Sequence, residues 1–136
     1  MHSGIRIATI YMSKKNFPII LLAEDDLFLQ RMYVDKLVKE GIKVVVASDG
    51  EKALEIMRKQ KPVLVLLDIL MPKKDGFEVL EEAKKDPKLK SIPIILLTNL
   101  SEVADVKRAQ KLGAADYIIK SHFLPSEVIE VVKKYL

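Results

Sequence analysis

The chain has 136 residues, of which 49% are hydrophobic, 31% charged and 6% aromatic, with no Trp and no Cys. That length suits one globular domain with an aliphatic core, and the absence of cysteine excludes disulfide scaffolds, thiolate metal sites and thiol nucleophiles. A formal charge of +4 raises nucleic acid as a partner, but it is carried mainly by paired lysines (Lys14-Lys15, Lys73-Lys74, Lys84-Lys85, Lys133-Lys134) among Glu and Asp rather than by clustered Arg, so it reads as a solvated surface with no nucleic-acid partner.

Residues 1–17 precede the first strand signal and read as an N-terminal extension, a tail ahead of a domain at 18–136. Ile5, Ile7, Thr9 and Tyr11 alternate as one side of a strand would, which leaves a short extra strand as the other reading. The start carries neither a continuous apolar run nor a small-residue cleavage signal, and no apolar run approaches the roughly 20 residues of a membrane span. A cytoplasmic protein without a membrane partner is expected.

Five short apolar runs follow: Ile19 to Ala23, Val44 to Ala47, Val63 to Leu67, Ile94 to Leu97 and Tyr117 to Ile119. Each is separated from the next by a segment of helical period, the pattern of repeated βα units feeding a parallel sheet. Leu27, Val34, Leu37 and Val38 form the first helical stripe, stopped by Gly41; Ala53, Leu54 and Met57 form the second, stopped by Lys61-Pro62. Phe77, Leu80 and Ala83 precede the breaker Asp86-Pro87. Val103, Val106 and Ala109 follow Ser101, read as an N-cap, and end at Gly113. Pro125 suits a first helical turn, and Val128, Val131, Val132 and Tyr135 fall on one face of the last helix. Five strands and five helices use up the chain.

In open parallel sheets ligands bind beyond the carboxyl ends of the strands. The first run ends in Glu24-Asp25-Asp26, the third in Asp68, the fourth in Thr98 and the fifth in Lys120. Clustered carboxylates repel unless a cation sits among them, and oxygen donors without His or Cys suit Mg²⁺. Such an ion partners a phosphoryl group, for which an aspartate can be the nucleophile, with Lys120 as a mobile positive charge and Thr98 as a hydrogen-bond donor. Asp75-Gly76 reads as a turn and helix start, and Asp26 as a helix cap.

The runs Leu21-Leu22-Ala23-Glu24-Asp25-Asp26, Asp68-Ile69-Leu70-Met71-Pro72-Lys73-Lys74-Asp75-Gly76, Leu97-Thr98 and Tyr117-Ile118-Ile119-Lys120 resemble the receiver domain of two-component response regulators, in order and spacing. The resemblance spans about Pro18 to Leu136. It implies a flavodoxin-like, doubly wound α/β fold with a five-stranded parallel sheet in the order 2-1-3-4-5. It further implies Asp68 as phosphoacceptor, Asp25 as a direct Mg²⁺ ligand, Glu24 as the second acid acting through water, and the Leu70 carbonyl completing the metal site. Thr98 and Tyr117 match the switch pair and Lys120 the cation that contacts the phosphate.

The function implied is a stand-alone regulator that receives its phosphoryl group from a histidine kinase or phosphotransfer protein and signals to a downstream protein target. It would be a switch rather than an enzyme, modifying only itself. Its output face would be the fourth helix, fifth strand and fifth helix. The rival readings are an aspartyl-nucleophile phosphatase, which requires a DxD arrangement that Glu24-Asp25-Asp26 does not supply, an unphosphorylated scaffold, and a flavin module, whose phosphate those acids would repel. Two departures from the family carry expectations. Leu70 and Leu100, two residues after Asp68 and Thr98, are apolar where polar residues speed dephosphorylation, so the phosphoryl group should be long-lived. Lys120 is followed by Ser121 instead of Pro, so that peptide bond should be trans.

Overall fold

The computed structural model describes residues 18–136; the alternating stretch Ile5 to Tyr11 lies outside the described residues. In chain order the elements are β1 (Ile19–Ala23), α1 (Leu27–Lys39), β2 (Lys43–Ala47), α2 (Gly50–Gln60), β3 (Leu64–Leu67), α3 (Gly76–Lys85), β4 (Ile94–Thr98), α4 (Val103–Leu112), β5 (Asp116–Ile119), a single 3-10 turn at Lys120–His122, and α5 (Pro125–Lys133). All strand pairs are parallel, in the order β2-β1-β3-β4-β5, so the expected doubly wound sheet is observed.

The three central strands are apolar but for Thr98 at the end of β4, because both faces of the sheet are covered, and alternate side chains serve two separate cores. Leu21, Ala23, Val65, Leu67, Ile94 and Leu96 point towards α2, α3 and α4, where they meet Ala53, Met57, Leu80 and Ala109. Ile20, Leu22, Leu64, Leu66, Ile95 and Leu97 point the other way, against Tyr33 and Leu37 of α1 and Val128, Ile129 and Val132 of α5.

Helix ends follow the local chemistry. Asp26, Asp49 and Asp75 cap α1, α2 and α3 by accepting from the backbone N–H of Leu29, Lys52 and Glu78, and Glu78 returns the bond to Asp75 as a capping box. Gly113 closes α4 with φ of 95°, a left-handed conformation that glycine adopts without penalty. Pro125 occupies the first turn of α5.

Three expectations need correction. In the first stripe only Leu37 is fully buried, while Leu27 and Val38 are 72% and 56% exposed and Tyr33 takes the place beside Leu37. At 100° per residue Leu27 and Val38 lie about 80° and 100° around the helix from Leu37 on the same side, whereas Tyr33 lies about 40° to the other side, so the buried face is centred between Tyr33 and Leu37 and leaves Leu27 and Val38 at its edge. Ser101 lies outside α4. Glu102 is its N-cap and makes no side-chain capping bond, and Val103 is exposed, so α4 is held mainly through Ala109. Val63 precedes β3 and is partly exposed, although its N–H bonds the carbonyl of Ile19 at 2.9 Å.

Candidate functional site

The ladder of β1, β2 and β3 carries one residue past the strands themselves. Glu24 N–H donates to Ala47 at 2.9 Å and Asp68 N–H to Ala23 at 2.9 Å, so the two acids leave the sheet side by side. Pairing of Thr98 with Ile119 puts Lys120 one step beyond β5 at the same edge. The register alone therefore gathers residues far apart in sequence.

Glu24, Asp25 and Asp68 each offer a carboxylate oxygen, all within 4.8 Å of one another. Glu24 and Asp68 are buried, whereas Asp25 is exposed and makes no hydrogen bond or ion pair among the described residues. Lys120 reaches in between. Its Nζ donates to Asp68 Oδ2 at 3.0 Å and makes a short contact with Glu24 Oε1. The remaining oxygens are also engaged, Glu24 Oε2 by the N–H of Asp26 at 3.1 Å and Asp68 Oδ1 by the N–H of Ile69 at 2.7 Å.

Three carboxylates against one ammonium leave an excess of negative charge. Burial raises the pKa of Glu24, with Asp68 adding to the effect and Lys120 opposing it. Burial alone would lower the pKa of Lys120, yet the hydrogen bond to Glu24 and the charges of Asp68 and Glu24 outweigh it and the net shift is upward. The upward shift of Lys120 against its burial shows that the acids hold positive charge in the pocket. An all-oxygen, net-negative donor set without His or Cys fits a hard divalent cation such as Mg²⁺.

Thr98 is fully buried, and its Oγ1 accepts from Leu100 N–H at 3.4 Å. Tyr117 lies along β5, with its hydroxyl donating to the Leu100 carbonyl at 2.7 Å; burial and the charges of Asp105 and Asp68 push its pKa up to about 12. Thr98 and Tyr117 thus converge on Leu100 and not on the acids. Leu70 stands in the loop after β3 with its side chain 62% exposed. Gly76, the first residue of α3, has no room for a side chain, since a Cβ there would lie 2.4 Å from the Asp68 carbonyl oxygen. Asp75-Gly76 is a turn and helix start, as expected, and it also lets α3 approach the backbone of Asp68.

Sequence reading missed Gln30, Ser48 and Asn99. Gln30 Nε2 donates to the Glu24 carbonyl at 2.7 Å and to Ser48 Oγ at 3.2 Å, and Asn99 Oδ1 accepts from Ser121 N–H at 3.2 Å. The only signal was position: Asn99 follows Thr98 and Gln30 lies four residues after Asp26. All peptide bonds in the described region are trans, including Lys120–Ser121, as the missing proline implies.

The sequence pattern of the response regulator receiver domain matches residues 20–133. The chain belongs to that family. Receiver domains of this family are components of two-component systems, work as phosphoacceptor switches and typically bind Mg²⁺. The receiver is 41% identical over 117 residues to a protein named probable transcriptional regulator ycf27 from Cyanophora paradoxa, a match covering 86% of this chain and 47% of that protein. The chain spans about half the length of the curated relatives it matches. Among solved structures, the signal receiver domain of a signal transduction histidine kinase from Syntrophus aciditrophicus superposes with TM-score 0.80 at 32% identity, covering 88% of this receiver and 89% of that chain. The Mn²⁺-bound form of response regulator Rcp1 does so with TM-score 0.75 at 33% identity, covering 84% and 88%. Among the described residues no helix is long and apolar enough to cross a membrane.

Proposed function

We propose that the receiver accepts a phosphoryl group on Asp68 from the phosphohistidine of a kinase or phosphotransfer protein. The observation that carries this reading is the convergence of a buried Asp68 with Lys120, Glu24 and Asp25 at one sheet edge. In the transfer, an Asp68 oxygen forms the new O–P bond while the P–N bond to the donor histidine breaks and the imidazole nitrogen regains a proton. Hydrolysis returns the carboxylate and releases inorganic phosphate, so the domain modifies only itself and turns over no external substrate.

Asp25 and Asp68, with the Leu70 carbonyl, would hold Mg²⁺, which when bound neutralises charge on the phosphoryl oxygens. Glu24, the second acid of the pocket, would act on the ion through water. Lys120, already bonded to Asp68, would follow the acid's charge onto the phosphoryl group. Thr98 and Tyr117 would report the event, since both bond to Leu100 at the start of the segment leading into α4. The output face would be α4, β5 and α5, read by a protein target in the cytoplasm. A second reading of the output is favoured by the length and names of the relatives, in which the receiver would pass its signal to an attached DNA-binding region.

Incubation with acetyl phosphate and Mg²⁺, followed by intact mass measurement, tests the proposal. One added phosphoryl group is expected, lost in Asp68→Asn and in excess EDTA. Persistence of the added mass in either case overturns it, and steady turnover of an added phosphomonoester would favour a phosphatase.

A further inference from the structure

Gln30 has no part in the phosphoryl transfer proposed above, yet its side chain bonds the backbone of the acidic turn. Its amide uses both protons: one on the carbonyl oxygen of Glu24 at 2.7 Å, the other on Ser48 Oγ at 3.2 Å. Its backbone N–H donates to the Asp26 carbonyl at 2.9 Å. Gln30 therefore grips the Glu24-Asp25-Asp26 turn at both ends and anchors it to the first residue after β2.

Asp25 needs such an anchor. It is exposed and makes no hydrogen bond or ion pair among the described residues, so nothing on its own side chain aims it at Asp68. The peptide from Glu24 to Asp25 begins at the carbonyl that Gln30 holds, and a half-buried amide bridging two strand ends resists rotation of that peptide. We propose that Gln30 is a positioning residue for the divalent cation, fixing the Glu24–Asp25 peptide so that the carboxylate of Asp25 stays within reach of Asp68. Outer groups that orient ligands commonly change metal affinity by 10-fold to 100-fold, which sets the scale of the effect. The inference rests on the reading of this pocket as a cation site.

The test titrates Mn²⁺ into the intact chain, following free ion by electron paramagnetic resonance, and repeats the series with Mg²⁺ by calorimetry. Gln30→Met keeps the length and helix propensity of the side chain while removing both donors. Its dissociation constant should rise about 10-fold. Ser48→Ala, an exposed change, removes only the outer anchor and should give a smaller rise that disappears in the Gln30→Met background, because the two residues act as one unit. The cation-free thermal midpoint separates positioning from a merely structural role. A lowered midpoint with unchanged cation affinity overturns the proposal, as does unchanged affinity in a variant of unchanged midpoint. Should Gln30→Met fail to fold, Ser48→Ala decides alone: weaker binding supports the proposal and equal binding overturns it. A wild-type chain that binds no Mn²⁺ at millimolar concentration removes the cation site itself, and that result is visible without any variant.

Discussion

Lys120 Nζ lies 3.0 Å from Asp68 Oδ2, joining the end of β5 to the end of β3 across 52 residues of sequence, with both side chains about nine-tenths buried. The ammonium is the counter-charge to Asp68 and Glu24 together. Removing one partner from a buried pair leaves an uncompensated charge, costing about 3 to 5 kcal/mol. Lys120→Met should accordingly lower cation-free stability in urea unfolding by roughly that amount. Saturating Mg²⁺ should recover more stability in the variant than in the wild type, since it supplies the missing charge. Equal gains in the two proteins would contradict this assignment of charge.

Gly76 offers a test of packing at the same place. A Cβ on it would meet the Asp68 carbonyl oxygen at 2.4 Å and the Ile69 Cα at 2.7 Å, both backbone atoms that cannot swing aside. Gly76→Ala should cost about 1 to 3 kcal/mol by forcing α3 away from the end of β3. The displacement should also disturb Asp68, so phosphorylation by acetyl phosphate should slow as well. A stable variant with normal phosphorylation would show that α3 can retreat freely.

Much of this site was legible because a parallel sheet covered on both faces writes its strands as apolar runs, and the first polar residue after each run marks the ligand-binding edge. Glu24, Asp68, Thr98 and Lys120 could be picked out in that way. Helix faces were less legible. Tyr33 is buried and Leu27 exposed, because the arc that α1 presents to the sheet is set by packing that no list of apolar positions contains. Gln30 and Asn99 were hidden for another reason. An amide side chain has no sequence pattern that names its partner, and Gln30 finds Ser48 only because β1 and β2 are neighbours in the sheet.

Tyr117 predicts a pH dependence. Its phenol has a pKa of about 12 in the folded chain against 10.0 ordinarily, mainly because burial penalises the phenolate. Between those values the folded state holds a proton that the unfolded state has lost, so stability is intact below pH 10 and falls as pH rises towards 12. The alkaline absorbance titration of the wild type minus that of Tyr117→Phe isolates this residue. Its phenolate should emerge near pH 12 or together with unfolding. Emergence near the ordinary value in the folded protein would place the ring in water, without its bond to Leu100.

The lifetime of the phosphoryl group depends on who can orient the attacking water. The two positions best placed by sequence, Leu70 and Leu100, have no side-chain donor or acceptor, so release from Asp68 should be slow. They are not equivalent in the structure. Leu70 is 62% exposed in the loop after β3, whereas Leu100 is partly buried against the core and its carbonyl holds the Tyr117 hydroxyl. Leu70→Asn is therefore the cleaner substitution, adding an amide two residues after Asp68 without removing a packed side chain. It should accelerate loss of the phosphoryl group on the order of 10-fold, the low end of what a positioned polar group supplies to proton transfer. Leu100→Glu should also accelerate loss, but with a drop in thermal midpoint, because a charge replaces an apolar contact. Release of inorganic phosphate from the phosphorylated protein, followed after removal of the donor, measures both. Decay within seconds in the unmodified protein would mean that some other group already holds the water, and Leu70→Asn would then leave the rate unchanged.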